Sequence, residues 1–364
     1  MSVAASQAAS ARLAAGDYAH ACGSRLRIIR VTRSGSVAYV LAMSGACVRP
    51  FHADDVPAAG ALLAARHRTH RLSCQLLSPR YEHEPAATAE VAAAFALPGA
   101  SGAVAVQGGN IVGFLLGAPK ASPVWGSNVW VDAAGQAAAE PELVRDMYGL
   151  AAARWVQESR RAHYVLVPAS DEDLLRAWYR LGFGQQQAHA VRPLPDRTPV
   201  APPKVMVRRA MRSDLPLLAG LEVELPRQHS LAPTFSAGPV PSYEECLAGW
   251  QEDFDDPAYA TFVAEFKGVV IGSSIGCSLD LSSSHPPLMR PDHAGFLAFA
   301  AVVPHARGLG AGRALGEAII AWTAQAGHHC VVTDWRVTNL LSSRTWPRLG
   351  FAESFLRLHR LVGY

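Results

Sequence analysis

The stretch FLAFAAVVPHARGLGAGRALGEAIIAW, residues 296–322, predicts a buried strand, a glycine-rich loop and an amphipathic helix. Its first eight residues form an unbroken apolar run, which favours a strand covered on both faces. Pro304 ends that strand because proline cannot donate to a sheet ladder. Beyond the loop, apolar side chains recur at helical spacing on one face, at Ala314, Leu315, Ala318, Ile319 and Trp322.

The loop between this strand and helix has the composition of an anion-binding site. Glycines stand at positions 308, 310 and 312, and glycine lets a backbone close on a phosphate by adopting positive φ. A helix N-terminus adds unpaired N–H groups and the positive end of the helix dipole, so a pyrophosphate is the favoured anion. Two other phosphate-binding patterns fail, since Arg313 stands where the Walker loop needs lysine and where G-x-G-x-x-G, counted from Gly308, needs its last glycine.

Two blocks of sequence carry a resemblance to a known family. The loop reads R-x-x-G-x-G from Arg307 to Gly312, after a strand that ends Val302-Val303-Pro304. Downstream, a β-rich run HCVVTDWR is followed by Asn339, Ser342, Trp346 and Gly350-Phe351. Together they resemble the GCN5-related N-acetyltransferase (GNAT) superfamily, which shows N-x-x-A-x-x-x-Y-x-x-x-G-F at the second block. Ser342 replaces the alanine, and Trp346 replaces the tyrosine.

The resemblance implies a fold, a cosubstrate and a set of contacts. The implied fold is α/β, with tandem GNAT domains that are each a mixed, mostly antiparallel sheet flanked by helices. The cosubstrate is acetyl-CoA, with no metal. The strand Val331–Trp335 is expected to splay from the strand that ends near Val303. The positions expected to bind the cofactor are Val302, Val303, Arg307, Gly308, Leu309, Gly310, Ala311, Gly312, Arg313, Asn339 and Trp346.

The implied reaction is direct attack of a primary amine on the thioester in a ternary complex, but the proton-transfer groups are not evident. The family's usual acid is a tyrosine, and the indole N–H of Trp346 cannot serve as one. Ser342 and Ser343 are weak candidates, which are also typical helix-start residues. Candidate bases are Glu222 and His293, and beside them Asp292, Glu224, His229, Glu265 and Asp334. The alternative is a non-catalytic acyl-CoA-binding or regulatory protein.

An internal duplication divides the chain. Val48, Arg49, Asp55 and Pro57 recur 159 residues later as Val207, Arg208, Asp214 and Pro216, and a predicted hairpin at 104–117 recurs at 263–276. RAWYRLGF at 176–183 recurs as RTWPRLGF at 344–351. Three matches in one order predict two copies of one unit.

The first copy lacks the glycine loop. Its aligned stretch at 136–142 carries Glu140 and Glu142, which would repel a pyrophosphate, so we expect one CoA site per chain. The predicted domains are a partly disordered N-terminal segment at 1–46, a degenerate GNAT-like domain at 47–193, a Pro-rich linker at 194–204 and a catalytic GNAT domain at 205–364.

Composition excludes several classes. The net charge of +3 does not indicate nucleic-acid binding, and no apolar run reaches the ~18–20 residues of a membrane span. The six cysteines show no C-x-x-C pair, which favours reduced thiols in a cytoplasmic protein. We expect a monomer or homodimer that acts on an amine of a small molecule or protein, with no nucleic-acid or membrane partner.

Overall fold

The computed structural model describes residues 45–121, 125–194, 205–235 and 238–363. Most of the expected N-terminal segment and linker therefore lies outside the described residues. Within the described chain the helices are α1 Val56–Ser73, α2 Glu84–Ala96, α3 Leu143–Gln157, α4 Glu172–Tyr179, α5 Leu215–Ser230, α6 Tyr243–Asp253, α7 Ala311–Gln325 and α8 Leu340–Thr345. None of these helices combines the length and apolarity that crossing a membrane requires.

The strands form two sheets. Their bounds are β1 Cys47–Pro50, β2 Ser101–Gln107, β3 Asn110–Gly117, β4 Asn128–Val131, β5 Gln136–Ala138, β6 Ala162–Pro168, β7 Gly184–Pro193, β8 Met206–Arg209, β9 Tyr259–Phe266, β10 Val269–Ser278, β11 Ala294–Val302, β12 Cys330–Arg336 and β13 Ala352–Leu361. One sheet has the order β1-β2-β3-β5, and the other has the order β4-β6-β13-β7-β12-β11-β10-β9-β8. Pairing is antiparallel except for β4 with β6 and β11 with β12. The predicted mixed, mostly antiparallel α/β fold is confirmed.

The last strands of the two halves are exchanged. By the duplication, β7 of the first half corresponds to β13 of the second. β7 pairs with β12 of the second half, whereas β13 enters the first half between β6 and β7. The largest core cluster accordingly joins Trp155 and Trp178 of the first half to Ile319 and Trp335 of the second. The two halves thus share one sheet and one core, which the sequence pattern did not predict.

The duplicated Arg and Asp form the same ion pair twice. Arg49 donates to both carboxylate oxygens of Asp55 at 2.8 and 2.6 Å, and Arg208 does so to Asp214 at 2.7 and 3.0 Å. Each carboxylate also accepts a backbone N–H three residues earlier. The pair links the first strand of each half to the turn that starts its first helix. The repeated residues therefore have the same structural role in both halves.

The Arg208–Asp214 pair gives a stability prediction. The side chain of Asp214 is 8% exposed, so Asp214→Asn should lower the free energy of unfolding by about 1–3 kcal/mol, as expected for hydrogen bonds to a charged group. Urea denaturation measures the change. The control Asp255→Asn removes the exposed pair with Arg212, in which the Asp255 side chain is 66% exposed, and should change nothing measurable.

The same pair predicts a pH dependence. The hydrogen bond from Arg208 lowers the pKa of Asp214. Its stabilisation is therefore fully present above the unfolded pKa of about 3.9 and is lost as the pH falls through the lower folded-state pKa. The stability difference between wild type and Asp214→Asn should shrink in that acidic range. A difference that is constant from pH 7 to the acid transition would contradict this account.

The exchanged strands give a second prediction. Deletion of residues 352–364 removes β13, whose two neighbours β6 and β7 both belong to the first half. Backbone groups of β6 then lose their partners, so hydrogen exchange in β6 should accelerate strongly although the deletion lies in the second half. Deletion of residues 362–364 alone is the control and should leave β6 protected. Unchanged protection of β6 in the longer deletion would show that β13 is dispensable there.

Candidate active site

The candidate site opens where β11 and β12 separate. Their parallel pairing covers only Ala294–Phe296 with Cys330–Val332, and beyond it Thr333 Oγ1 donates to the carbonyl oxygen of Leu297 at 3.0 Å. β11 also contains a β-bulge, because Ile275 pairs with Phe299 while Gly276 pairs with Leu297. Ala298 is the extra residue, and a bulged residue is left outside the ladder. The expected splay of the two strands is therefore present.

The glycine loop leads directly from β11 into α7. Gly308 and Gly310 have φ of +86° and +92°, a region in which side chains with a Cβ are strained. A Cβ built at Gly308, Gly310 or Gly312 would meet no atom within 4 Å, so the space above the loop is open. Gly310 is the N-cap of α7 and offers no capping side chain. The first N–H groups of α7 thus face open space, as an anion site requires.

A cavity of about 440 Å³ lies over this loop. It brings together most of the predicted cofactor-binding residues, but Val303 and Leu309 are not on its wall. The N–H of Val303 donates to the carbonyl oxygen of Ile271 at 2.9 Å, so this group is already paired. The predicted residues that line the cavity are Val302, Arg307, Gly308, Gly310, Ala311, Gly312, Arg313, Asn339, Ser342 and Trp346.

The two arginines of the loop are held differently. Arg307 Nη1 donates to Gln228 Oε1 of α5 at 2.9 Å, which ties the loop to the helix on the other side of the cavity. Arg313 Nε donates to Glu317 at 2.8 Å, and its side chain is 70% exposed. Arg307 is therefore positioned by the fold, whereas Arg313 can reorient toward an anion.

Asn339 and Trp346 form the wall below the loop. Asn339 is 3% exposed, and its Oδ1 accepts the N–H of Leu341 at 3.2 Å at the start of α8. Trp346 is 7% exposed and lies over Gly316 of α7, where an added Cβ would stand 3.2 Å from the indole ring. Trp346 therefore acts here as a packed apolar wall.

The serines divide between the cavity and the backbone. Ser342 lines the cavity. Ser343 does not line it, and its hydroxyl donates to the carbonyl oxygen of Val337 at 2.7 Å. Ser343 thus has the helix-start role that its sequence position also allowed.

The candidate bases are scattered, and Glu224 is the one of them that lines the cavity. Glu222 is also on α5 but stands off the cavity wall, and burial raises its pKa. His293 and Asp292 are exposed and precede β11, so they lie about 30 Å from Val302 along the strand. Glu265 accepts from Arg208 Nε at 2.7 Å, and Asp334 accepts from Gln187 on the neighbouring β7.

Glu224, Leu225 and Gln228 all line the cavity from the last two turns of α5. From the sequence, Glu224 is one of several candidate bases, and neither Leu225 nor Gln228 is among the predicted site residues. The spacing of Glu224 and Gln228 at i and i+4 places them on one helix face, and this was the signal available in the sequence.

The equivalent stretch of the first half has no glycine loop. It forms β5, in which the fully buried Gln136 donates to the carbonyl oxygen of Leu166 at 2.8 Å and accepts from Trp178 Nε1 at 3.0 Å. Glu142, directly before α3, pairs with Arg145 and Arg180. This segment supports packing within the first half.

Comparison with known proteins identifies the second half. Residues 226–351 match the model of the Acetyltransferase (GNAT) family, which confirms the predicted family for this region. A comparison with curated proteins found no match. The chain therefore carries a GNAT domain, a match that supports acyl transfer as its class of reaction.

Several solved structures resemble the chain. A GCN5-related N-acetyltransferase from Sphaerobacter thermophilus is 15% identical, with a TM-score of 0.51, and the match covers 88% of this chain and 98% of that one. A tandem GNAT protein from the clavulanic acid biosynthesis pathway is 15% identical over 87% of this chain and 98% of its own, with a TM-score of 0.44. An aminoglycoside N-acetyltransferase in complex with CoA is 22% identical over 44% of this chain and 93% of its own, with a TM-score of 0.33. The first likeness extends over both halves and shows a shared fold across nearly the whole length of that protein.

Proposed function

We propose, from the GNAT domain at residues 226–351, that this protein is an N-acetyltransferase with its second half as the catalytic half. It transfers the acetyl group of acetyl-CoA to a primary amine in a ternary complex. The observation that carries the proposal is the open glycine loop at the N-terminus of α7, beside the separated ends of β11 and β12. The described residues of the first half contain no equivalent glycine loop. We therefore propose that one CoA binds per chain.

The residues of the cavity suit CoA. The open backbone of Gly308 to Gly312 and the first N–H groups of α7 would hold the pyrophosphate, and Arg307 and Arg313 would add charge-assisted hydrogen bonds. Val302, Asn339 and Trp346 would line the course of the pantetheine arm. Acetyl-CoA supplies an activated thioester. The protein's own groups would orient the amine and accept its proton.

Glu224 is the proposed base because it lines the cavity. Its carboxylate, which also accepts from Arg227 Nη1 at 3.3 Å, can take a proton from the amine directly or through water. Ala298 is the proposed backbone donor to the developing oxyanion, since the bulge leaves it outside the ladder. The pKa of a thiol is near 8.5. Because the thiolate is therefore a good leaving group, its departure needs no strong acid. Turnover is therefore compatible with Trp346 in place of the tyrosine, and Ser342, which lines the cavity, is the hydroxyl proposed to assist the leaving group.

The glycine loop gives a binding prediction. Gly310→Glu places a carboxylate where the pyrophosphate would lie and strains a residue with φ of +92°, so it should abolish acetyl-CoA binding in calorimetry. Gly327→Ala is the control, because Gly327 follows the other end of α7 with φ of +83° and open space around it. It carries a similar strain of about 1–2 kcal/mol and should bind acetyl-CoA normally. Equal affinity of Gly310→Glu and wild type would refute the loop assignment.

The assignment of Glu224 as the base is tested by comparing variants of two carboxylates on α5. Glu224→Gln should lower kcat by about 10²–10⁴-fold while acetyl-CoA affinity is retained. Glu222→Gln alters a carboxylate off the cavity wall and should leave kcat within about twofold. The measurement is thiol release with a library of amines. Absence of turnover with every amine, beside tight CoA binding, would instead support a non-catalytic acyl-CoA-binding protein.

A further inference from the structure

Two arginines from different strands of the nine-stranded sheet converge on one indole. Arg336 of β12 and Arg357 of β13 place their guanidinium carbons 5.5 and 5.2 Å from the ring centroid of Trp125. Both pair across the sheet with Gln187 of β7, which lies between them. The two side chains therefore stand on one face of the sheet, side by side.

Their hydrogen bonding is incomplete. Arg357 is 6% exposed, and it donates to Gln186 Oε1 at 2.8 Å and to Gln187 Oε1. Arg336 is only partly buried, yet its Nη1 is buried and has no acceptor among the described residues. A buried charged donor without an acceptor is costly. A ligand that supplies an acceptor beside Trp125 would be stabilised.

The cluster has an excess positive charge. Asp334 is the carboxylate on the same face, two residues before Arg336. Lys120 does not add to the excess because its Nζ is paired with Asp132 at 2.9 Å. Burial lowers the pKa of Arg357 to about 9, which still leaves it charged at neutral pH. Two guanidinium groups against one carboxylate leave a net charge of +1, so one monoanion would neutralise the cluster.

This charge balance also decides between an anion and a metal ion. His189, His285 and Asp334 place one potential ligand atom each within 4.8 Å of one another, which is a spacing that a metal site could use. A divalent cation held by Asp334, two residues before Arg336, would raise the net charge of the cluster from +1 to about +3. The field at the cluster therefore favours an anion.

The arginine pair adjoins the proposed catalytic cleft. Arg336 and Asp334 belong to the part of β12 beyond Val332, where pairing with β11 has ended. The charge of Arg336 adds to burial in lowering the pKa of His229, so Arg336 lies near the end of α5. The same helix presents Glu224 and Gln228 to the cavity. Trp125, Gln187, Arg336 and Arg357 do not line the 440 Å³ cavity itself. The cluster lies beyond the point where β12 leaves β11, on the side of α5.

We propose that Arg336, supported by Arg357, binds a carboxylate of the acceptor, and that the acceptors are amino acids or other amines carrying a carboxylate. The inference rests on the proposed acetyl transfer. A carboxylate matches the planar fork of a guanidinium and brings one negative charge. A phosphate monoester would bring about −1.5 to −2, which exceeds the excess charge of the cluster. Trp125 would cover the bound carboxylate, and the first half would thereby take part in substrate selection.

The test uses matched acceptors with the full chain. Thiol release is measured for a panel of α-amino acids and for the corresponding amino acid amides, which keep the amine and lose the negative charge. Wild type should prefer the acids by at least tenfold in kcat/KM, and Arg336→Met should lower that preference at least tenfold. Arg176→Met removes an exposed arginine of the first half and should keep the wild-type preference. Equal use of acids and amides by wild type, or an equal loss on both in Arg336→Met, would overturn the proposal.

Further arms separate this proposal from acetyl transfer itself. Calorimetry with the amino acids in the presence of CoA should show binding that weakens at least tenfold in Arg336→Met, whether or not turnover occurs. Turnover with amides but no binding of any acid would overturn the carboxylate site and leave acetyl transfer intact. Preferential use of phosphoethanolamine, or one equivalent of Zn²⁺ retained by wild type and lost in His285→Ala, would also overturn it.

Discussion

The pairing of β7 with β12, and of β13 with β6 and β7, is the interaction on which the rest of this structure depends. Each half gives its last strand to the other half, so the main-chain hydrogen bonds of nine strands run through both copies without interruption. The side chains of both copies also share one core, since the principal core cluster contains both Trp155 and Trp335. A duplication that could have produced two separate units has instead produced a single sheet whose centre belongs to neither copy alone.

That centre lies beside the separated ends of β11 and β12. Because β7 and β13 flank each other there, Gln187 and Arg357 stand on the same face as Arg336. The first half, which has no glycine loop, therefore still contributes side chains next to the cleft of the second. The buried guanidinium group of Arg357 is tolerated because glutamine oxygens accept from it and the face of Trp125 covers its charge. A copy without the glycine loop can thus place side chains beside the site proposed in the other copy.

The two copies have kept what folding requires and have changed what only one site needs. The ion pairs Arg49–Asp55 and Arg208–Asp214 hold a strand to a helix start in both halves, and both have bidentate geometry. In contrast, the stretch of the first half that aligns with the glycine loop begins with β5, where Gln136 bridges Leu166 and Trp178. Helix attachment is a requirement of each unit, whereas the proposed pyrophosphate site would occur once per chain.

The sequence alone determined the strand, glycine loop and helix at 296–322, because their signals are local: an apolar run, a proline and residues that tolerate positive φ. It also determined the duplication and the family of the second half. It could not determine the strand exchange, since the alternation of a strand is the same whichever neighbour it pairs with. Nor could it separate Glu222 from Glu224, which point about 200° apart on one helix. Only tertiary packing decides which of them faces the cavity, and only the exchanged sheet places Arg357 beside Arg336.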